Sequence, residues 1–199
     1  AGLGVTMSIG VHVYDILRFL LSSEVESVSS FFDTPRRVME KVNLSTLRFS
    51  NGVMAQVNVN QTTPDPYNDF VIYGSRGRIT GRGVTRSRHG GHVEVRTGDG
   101  LVRSMPFPAI NAHAACVAAF SRCLLDGTEP AASGIDGLRS VQLTEAMARS
   151  ACTGACVERP IYNPISLIGR SETCLWPASK KSSCPRWQNS APTSRATSR

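Results

Sequence analysis

Alternating apolar and polar positions dominate the chain between residues 24 and 105. Seven segments show this alternation: 24–32, 42–49, 53–60, 70–73, 78–80, 92–96 and 101–105. An alternation of period two is typical of half-buried strands. The second and third segments flank Asn51-Gly52, a dipeptide that favours a tight hairpin turn. Glycine-containing turns also join the last four segments in two pairs, so the pattern predicts a mainly antiparallel sheet.

Helical periodicity appears at both ends of this region. The apolar residues of 16–21 follow a polar stretch and predict a first helix. A second helix is predicted from Ala112 to Asp126, because Gly127 then stands where a glycine ends a helix. Ser133 begins a third helical pattern that continues to Gly154. Strands followed by helices, without strand-helix-strand alternation, predict an α+β fold: a mainly antiparallel open sheet with helices packed on one face.

Composition divides the chain into two parts. The 199 residues are 41% apolar, which is enough for one domain with an ordinary core. Periodicity is lost after Pro160, and the remaining sequence is rich in Ser, Pro and Arg. We therefore predict a globular domain over residues 1–158 and a basic, disordered tail over residues 159–199.

The distribution of charge changes what the net charge of +7 implies. Six of these seven net charges lie in residues 159–199, so the globular part offers no argument for a specific nucleic-acid partner. No apolar run approaches the ~20 residues that a membrane span needs. The six cysteines show no paired C-x2-C spacing, which predicts free thiols and no metal site. These features together predict a cytoplasmic protein without a membrane partner.

Candidate chemistry is concentrated at the start of the first helix. Ser8, a residue type that caps helices, precedes His12 by four positions, which places both on one helical face. From the residues alone, His12 is either a proton-transfer group or a histidine that bonds a neighbour. Asp15 is either a contact of His12 or substrate, or a solvated carboxylate. His113 opens the second helix, where capping or surface exposure is the alternative to a role in binding.

Two glycine- or histidine-containing turns have simpler interpretations. The loop of residues 86–92 contains two His at a spacing of three, and a solvated hairpin loop is favoured over a ligand cluster. Gly74 and Gly77 predict a tight turn that needs positive φ angles rather than a phosphate cradle, since no G-K-[ST] follows.

Four stretches, in this order, resemble one known family. They are SIGVHVYDILRFLL, LRFSNGVMAQ, VIYGSRGRI and EPAASGIDGLRSVQLTEAMARSACTGACVE. Together they make residues 4–158 similar to the C-terminal domain of the Gfo/Idh/MocA family, the glucose-fructose oxidoreductase and inositol dehydrogenase type enzymes. In that family an N-terminal Rossmann domain binds NAD or NADP. The resemblance implies that the C-terminal domain supplies a sugar or polyol pocket and an open sheet for homo-oligomer contacts.

The family's D-x-x-x-H motif aligns with Ser8 and His12. The resemblance implies that His12 is the catalytic residue, which transfers the proton of the substrate hydroxyl, and that Ser8, Asp15 and His113 contact substrate. Ser8 departs from the motif, because a hydroxyl brings no charge that would favour an imidazolium.

The motifs with which the family's N-terminal domain binds NAD or NADP have no counterpart in these 199 residues. No G-x-G-x-x-G occurs, and the family's cofactor-side lysine motif is missing. We therefore predict a truncated substrate-binding domain of an NAD(P)-dependent sugar or polyol oxidoreductase, inactive alone and without cofactor-binding residues. The alternative from another class is a non-catalytic protein that associates through its sheet. A nucleic-acid-binding protein is a third interpretation, which rests on the tail charge alone.

Overall fold

The computed structural model describes residues 4–34, 39–64, 68–85 and 90–158 together with Pro160. All of them belong to one compact unit, residues 1–162. A π-helical turn, Thr6–Gly10, leads into the first helix. The helices are α1 (Val11–Leu21), α2 (Ala112–Asp126) and α3 (Gly134–Thr153). The strands are β1 (Val25–Phe32), β2 (Val42–Phe49), β3 (Met54–Asn60), β4 (Phe70–Gly74), β5 (Gly77–Arg82), β6 (His92–Thr97), β7 (Val102–Pro106) and β8 (Val157–Glu158).

The strands form two open antiparallel sheets. The first has the order β3-β2-β1-β8 and the second the order β4-β5-β6-β7. The β2–β3 hairpin closes at Asn51-Gly52, where Gly52 has a φ of +85° that L-residues avoid. The predicted α+β class and its antiparallel hairpins are therefore confirmed, with the strands divided between two sheets.

The core lies between the first sheet and the helices α1 and α3. Leu47 and Phe49 of β2 are fully buried against Tyr14 of α1 and Leu143 and Met147 of α3. Alternate residues of β2 point to this layer and to the open side, which gives the strand its strict burial alternation. The helices α1 and α3 therefore cover one face of the first sheet, as the periodicity predicts.

The ends of the two later helices follow from local capping. Asn111 is the N-cap of α2, and its side chain accepts a hydrogen bond from the Ala114 amide. Ser133 and Asp136 form a reciprocal capping box at the start of α3. The residues Gly127 and Gly154 end α2 and α3 in the left-handed conformation. The sequence signals for these ends are thus confirmed.

Candidate functional site

The segment that carries Ser8 and His12 is held at its start by a buried carboxylate. Glu40 is only 3% exposed, and its two carboxylate oxygens accept hydrogen bonds from the Gly4 amide at 2.7 Å and the Thr6 amide at 2.8 Å. Its carbonyl accepts a third bond, from the Val5 amide at 2.9 Å. A negative charge is favourable at a helix N-terminus, where the first amides lack helical partners. Glu40 therefore fixes where the helix begins.

Ser8 does not cap the helix, which corrects the prediction made from its residue type. It lies inside the π-helical turn Thr6–Gly10, and its own amide donates to the Gly4 carbonyl at 3.0 Å. The helical conformation thus begins before Ser8, because Glu40 satisfies the first amides in its place. The π-helical turns found in proteins are frequent at functional sites.

The side chains of Ser8 and His12 are both exposed, and their spacing of four residues places them on one side of the helical segment. Ser8 Oγ accepts a hydrogen bond from Gln61 Nε2 at 3.4 Å. Gln61 directly follows β3, and its amide donates to the Lys41 carbonyl at 2.9 Å. The residue after β3 therefore contributes an amide group beside Ser8.

A buried polar network lies beneath this surface. Asn43 Nδ2 donates to Thr6 Oγ1 at 3.1 Å and to the Tyr14 hydroxyl at 2.9 Å. Ser45 Oγ donates to Asn43 Oδ1 at 2.6 Å. Burial raises the pKa of the Tyr14 phenol far above its usual value, so this hydroxyl stays protonated. The network joins β2 to both the π-helical turn and α1, so it orients the segment that carries His12.

Asp15 lies beside Arg18, and its predicted contact with substrate stays a prediction. Its carboxylate lies 3.4 Å from the Arg18 guanidinium, which also forms two 2.8 Å hydrogen bonds with Glu24. Asp136 lies 3.4 Å from the same guanidinium. The bonded Arg18 holds the pKa of Glu24 below its ordinary value. These residues line a groove of about 630 Å³ with Ser23 and other neighbours. Among the described residues, no hydrogen bond joins Asp15 to His12.

His113 lies on α2, away from this arrangement. Its side chain is exposed, and the cap of α2 is Asn111 rather than His113. Within the described part of the chain, no hydrogen bond joins His113 to His12 or Ser8. The structure therefore places Ser8 and His12 on one side of the helical segment, Asp15 beside Arg18 and His113 on α2.

The turn between Gly74 and Gly77 differs from a dinucleotide-binding turn. Gly77 has a φ of +152°, but a Cβ at this position would lie 2.2 Å from the Arg96 carbonyl oxygen, so its backbone faces a neighbouring strand. The turn before it joins two strands, whereas a dinucleotide cradle leads into a helix. Gly77 thus confirms the predicted positive φ, and Gly74 does not have one.

No group of three or more His, Cys, Asp or Glu side chains able to hold a metal ion occurs among the described residues. The loop residues 86–89 lie outside them. No helix within the described ranges is long and apolar enough to cross a bilayer.

Three residues of this site were not singled out from the sequence. Glu40 and Asn43 lie more than thirty positions from the helix start that they contact, at separations of 34 and 37 residues for their bonds to Thr6. Gln61 is 53 positions from Ser8. No spacing rule links residues so far apart. The only available signal was a polar Asn at a position of β2 where the alternation calls for an apolar residue.

Comparisons with known proteins agree with this architecture. Residues 1–80 match the family described as the GFO/IDH/MocA C-terminal domain. The chain is 30% identical over 161 residues to a 1,5-anhydro-D-fructose reductase of Ensifer adhaerens, covering 79% of this chain and 48% of that protein. The chain therefore spans about half the length of this curated relative.

Solved structures share the fold. An aldose-aldose oxidoreductase from Caulobacter crescentus, complexed with glycerol, is 25% identical with a TM-score of 0.71, covering 79% of this chain and 48% of that one. A levoglucosan dehydrogenase in complex with NADH and levoglucosan is 22% identical with a TM-score of 0.68, covering 81% of this chain and 52% of that one. Residues 1–80 therefore belong to the GFO/IDH/MocA C-terminal domain family, and the shared fold extends the similarity over 79% of the chain.

Proposed function

We propose that this chain provides the substrate-binding domain of an NAD(P)-dependent sugar or polyol oxidoreductase, with His12 as the proton-transfer residue. The observation that supports this most directly is the exposed imidazole of His12, one turn after Ser8, on a segment held by Glu40 and the Asn43 network. An imidazole used in proton transfer must reach solvent or substrate while its backbone stays fixed. The relatives that act on sugars support the substrate class.

The chemistry of His12 is that of a general base and acid. When a substrate alcohol becomes a carbonyl, its hydroxyl proton must be removed, and the neutral imidazole would accept that proton. In the reverse direction the imidazolium would return it to the carbonyl oxygen. Ser8 Oγ and the Gln61 amide lie beside this position as neutral hydrogen-bonding groups suited to sugar hydroxyls.

Asp15 and His113, the other two predicted substrate contacts, take no direct part in the proposed proton transfer. Asp15 acts through Arg18, whose guanidinium it helps to hold in the groove beside Glu24. His113 remains a proposed contact only if substrate or another domain reaches α2. Both residues therefore serve as comparators for His12 in the experiments below.

The hydride carrier would bind outside the described residues. We expect the chain as printed to bind neither NAD nor NADP with useful affinity and to be inactive alone, because the described turns do not form a dinucleotide cradle. Calorimetric titration with each dinucleotide tests this. Micromolar binding of either one would contradict it.

Substrate binding can be tested separately from turnover. Titration of the isotope-labelled chain with 1,5-anhydro-D-fructose or levoglucosan should shift the NMR resonances of Ser8, His12 and Gln61. His12→Gln should weaken this binding, whereas Asp15→Asn and His113→Gln should retain it. Loss of binding in His113→Gln with retention in His12→Gln would move the site to α2.

The proton-transfer role needs a cofactor domain supplied by fusion. In such a fusion His12→Ala should lower turnover by ~100-fold or more, the usual contribution of a general base. Ser8→Asp should raise turnover, because a carboxylate one turn before the imidazole would stabilise its protonated form. If His12→Ala leaves turnover unchanged, another residue moves the proton.

A second candidate function is association through the open side of the first sheet. Phe31 is 72% exposed there and lies directly opposite Leu44 on the neighbouring strand, so an apolar pair faces solvent. Exposed apolar groups of this kind favour a homo-oligomer. Sedimentation at several concentrations should show self-association that Phe31→Gln reduces. A strictly monomeric chain would contradict this candidate.

We further place the protein in the cytoplasm, without a membrane or a specific nucleic-acid partner. Among the described cysteines, Cys116, Cys123 and Cys156 are free thiols, which suits a reducing compartment. Most of the net positive charge lies in residues 159–199 and not in the described domain. We propose that these residues form a tail separate from the domain of residues 1–158.

A further inference from the structure

One face of the second sheet carries a shallow groove that the proposed oxidoreductase site does not use. Alternate residues of three adjacent strands line its volume of about 340 Å³, a size suited to a small molecule. The lining residues that matter here are Tyr73, Arg78, Thr80, Arg82, His92 and Glu94. This groove therefore combines cationic, hydroxyl and aromatic groups on strands rather than on loops.

One cross-strand pair on this face is unfavourable for the sheet by itself. Arg78 lies directly opposite Arg96. Like charges in direct opposition destabilise a sheet. A sheet that retains such a pair has a surplus of positive charge that an anion would neutralise.

Most of this charge has no counter-ion in the described part of the chain. Glu94 lies 3.5 Å from Arg96 and so offsets that residue. No described carboxylate forms an ion pair with Arg78 or Arg82. Within the same ranges Arg78 Nε is shielded from solvent and has no hydrogen-bond partner. A shielded donor without an acceptor carries a desolvation cost that a bound oxyanion would remove.

We propose that this groove binds the phosphoryl groups of a small phosphorylated molecule. Arg78 and Arg82 stand four residues apart on β5, about 13 Å along the strand, with Thr80 between them. Each guanidinium group can donate two parallel hydrogen bonds to phosphate oxygens, and the Thr80 hydroxyl lies on the same face between them. A second copy of this chain does not suit the face, because two cationic surfaces would repel each other.

The test uses inorganic pyrophosphate as the probe and the full chain as the protein. Calorimetric titration at low ionic strength should show binding that Arg78→Gln and Arg82→Gln each weaken by about tenfold or more. Arg78→Lys should fall between the wild type and Arg78→Gln, because it keeps the charge and loses the fork. Arg48→Gln, on the open side of the first sheet, is the matched control and should bind as the wild type does.

Three results would overturn the proposal. The first is the absence of pyrophosphate binding by the wild-type chain. The second is loss of binding in Lys180→Gln/Lys181→Gln with retention in Arg78→Gln, which would assign the anion to residues 159–199. The third is equal binding of malonate and pyrophosphate, which would remove the preference for phosphoryl groups. Circular dichroism and thermal unfolding of each variant show whether a loss of binding reflects a loss of fold.

Discussion

The two sheets of this domain resemble each other in strand number and direction and differ in what they bury. The first sheet contributes Val28, Leu47, Phe49 and Val57 to a continuous core with α1 and α3. In the second sheet every residue of β7 is exposed, and α2 has no buried residue at all. The side chain of Leu125 on α2 is 85% exposed. The same chain therefore contains one region with a buried apolar core and one region whose side chains are largely exposed.

The difference shows that a periodic pattern specifies local structure without guaranteeing burial. Apolar positions alternate in both sheets, but among the described residues the buried core joins helices to the first sheet. Since buried apolar area supplies most of the stabilisation of a domain, global stability should depend on the first region. The second region is free to present charged and apolar groups to other molecules. Four experiments test this contrast.

The largest expected effect comes from the core of the first sheet. Leu47→Ala should lower the free energy of unfolding by about 3–5 kcal/mol, because the fully buried side chain leaves a cavity. Leu125→Ala, in exposed α2, should change it by less than about 0.5 kcal/mol. Urea unfolding followed by circular dichroism measures both. Equal losses in the two variants would show that α2 is also buried in solution.

A smaller loss is expected at the start of the first helix. Glu40→Gln replaces one acceptor oxygen by a donor, which leaves the amide of Gly4 or Thr6 without a partner. The expected cost is about 1–3 kcal/mol in the free energy of unfolding. Glu94→Gln in the second sheet is the control and should cost far less, since Glu94 makes an exposed ion pair. A neutral Glu40→Gln would contradict the anchoring role of this carboxylate.

The N-cap hydrogen bonds of α3 and α2 allow the two regions to be compared through the same kind of interaction. Ser133→Ala should cost about 1 kcal/mol in global stability, because α3 packs on the first sheet. Asn111→Ala removes the cap of α2 and should leave the global unfolding midpoint unchanged, because that helix contributes no buried residue. The amides of α2 should instead exchange faster with solvent. A global loss in both variants would mean that α2 unfolds together with the core.

The smallest effect should depend on pH. The hydrogen bonds from Arg18 lower the pKa of Glu24 in the folded state from its usual value of 4.5. Because the folded pKa is the lower one, the stabilisation is fully present above pH 4.5 and is lost as pH falls through the lowered pKa. Thermal unfolding of wild type and Glu24→Gln should therefore differ near neutral pH and converge in acid.

Glu26 supplies the control for this measurement. It lies on β1 near Glu24 and makes no ion pair within the described ranges. Glu26→Gln should therefore run parallel to the wild type as the pH is lowered. A constant difference between wild type and Glu24→Gln at every pH would show that the contribution of Glu24 is not ionic.

The sequence by itself determined the elements of this protein, because their signals are local. The Asn51-Gly52 hairpin, the capping residue Ser133 and the terminal Gly127 each act within a few positions, and the structure confirms all three. The order of quoted stretches also led to the right family. The pair of Ser8 and His12 could be placed on one helical face, since helical spacing alone decides that.

Only the tertiary structure determined which residues these elements contact. Which residue satisfies the first helical amides depends on Glu40 approaching across 34 positions or more, and Ser8 lost that role for this reason. Glu24 and Asp136 approach the Arg18 guanidinium from separate elements, which the local i,i+3 spacing of Asp15 and Arg18 does not reveal. Division into two sheets depends on long-range strand pairing, which a period of two cannot encode. Local periodicity specifies conformation, and long-range packing specifies partners.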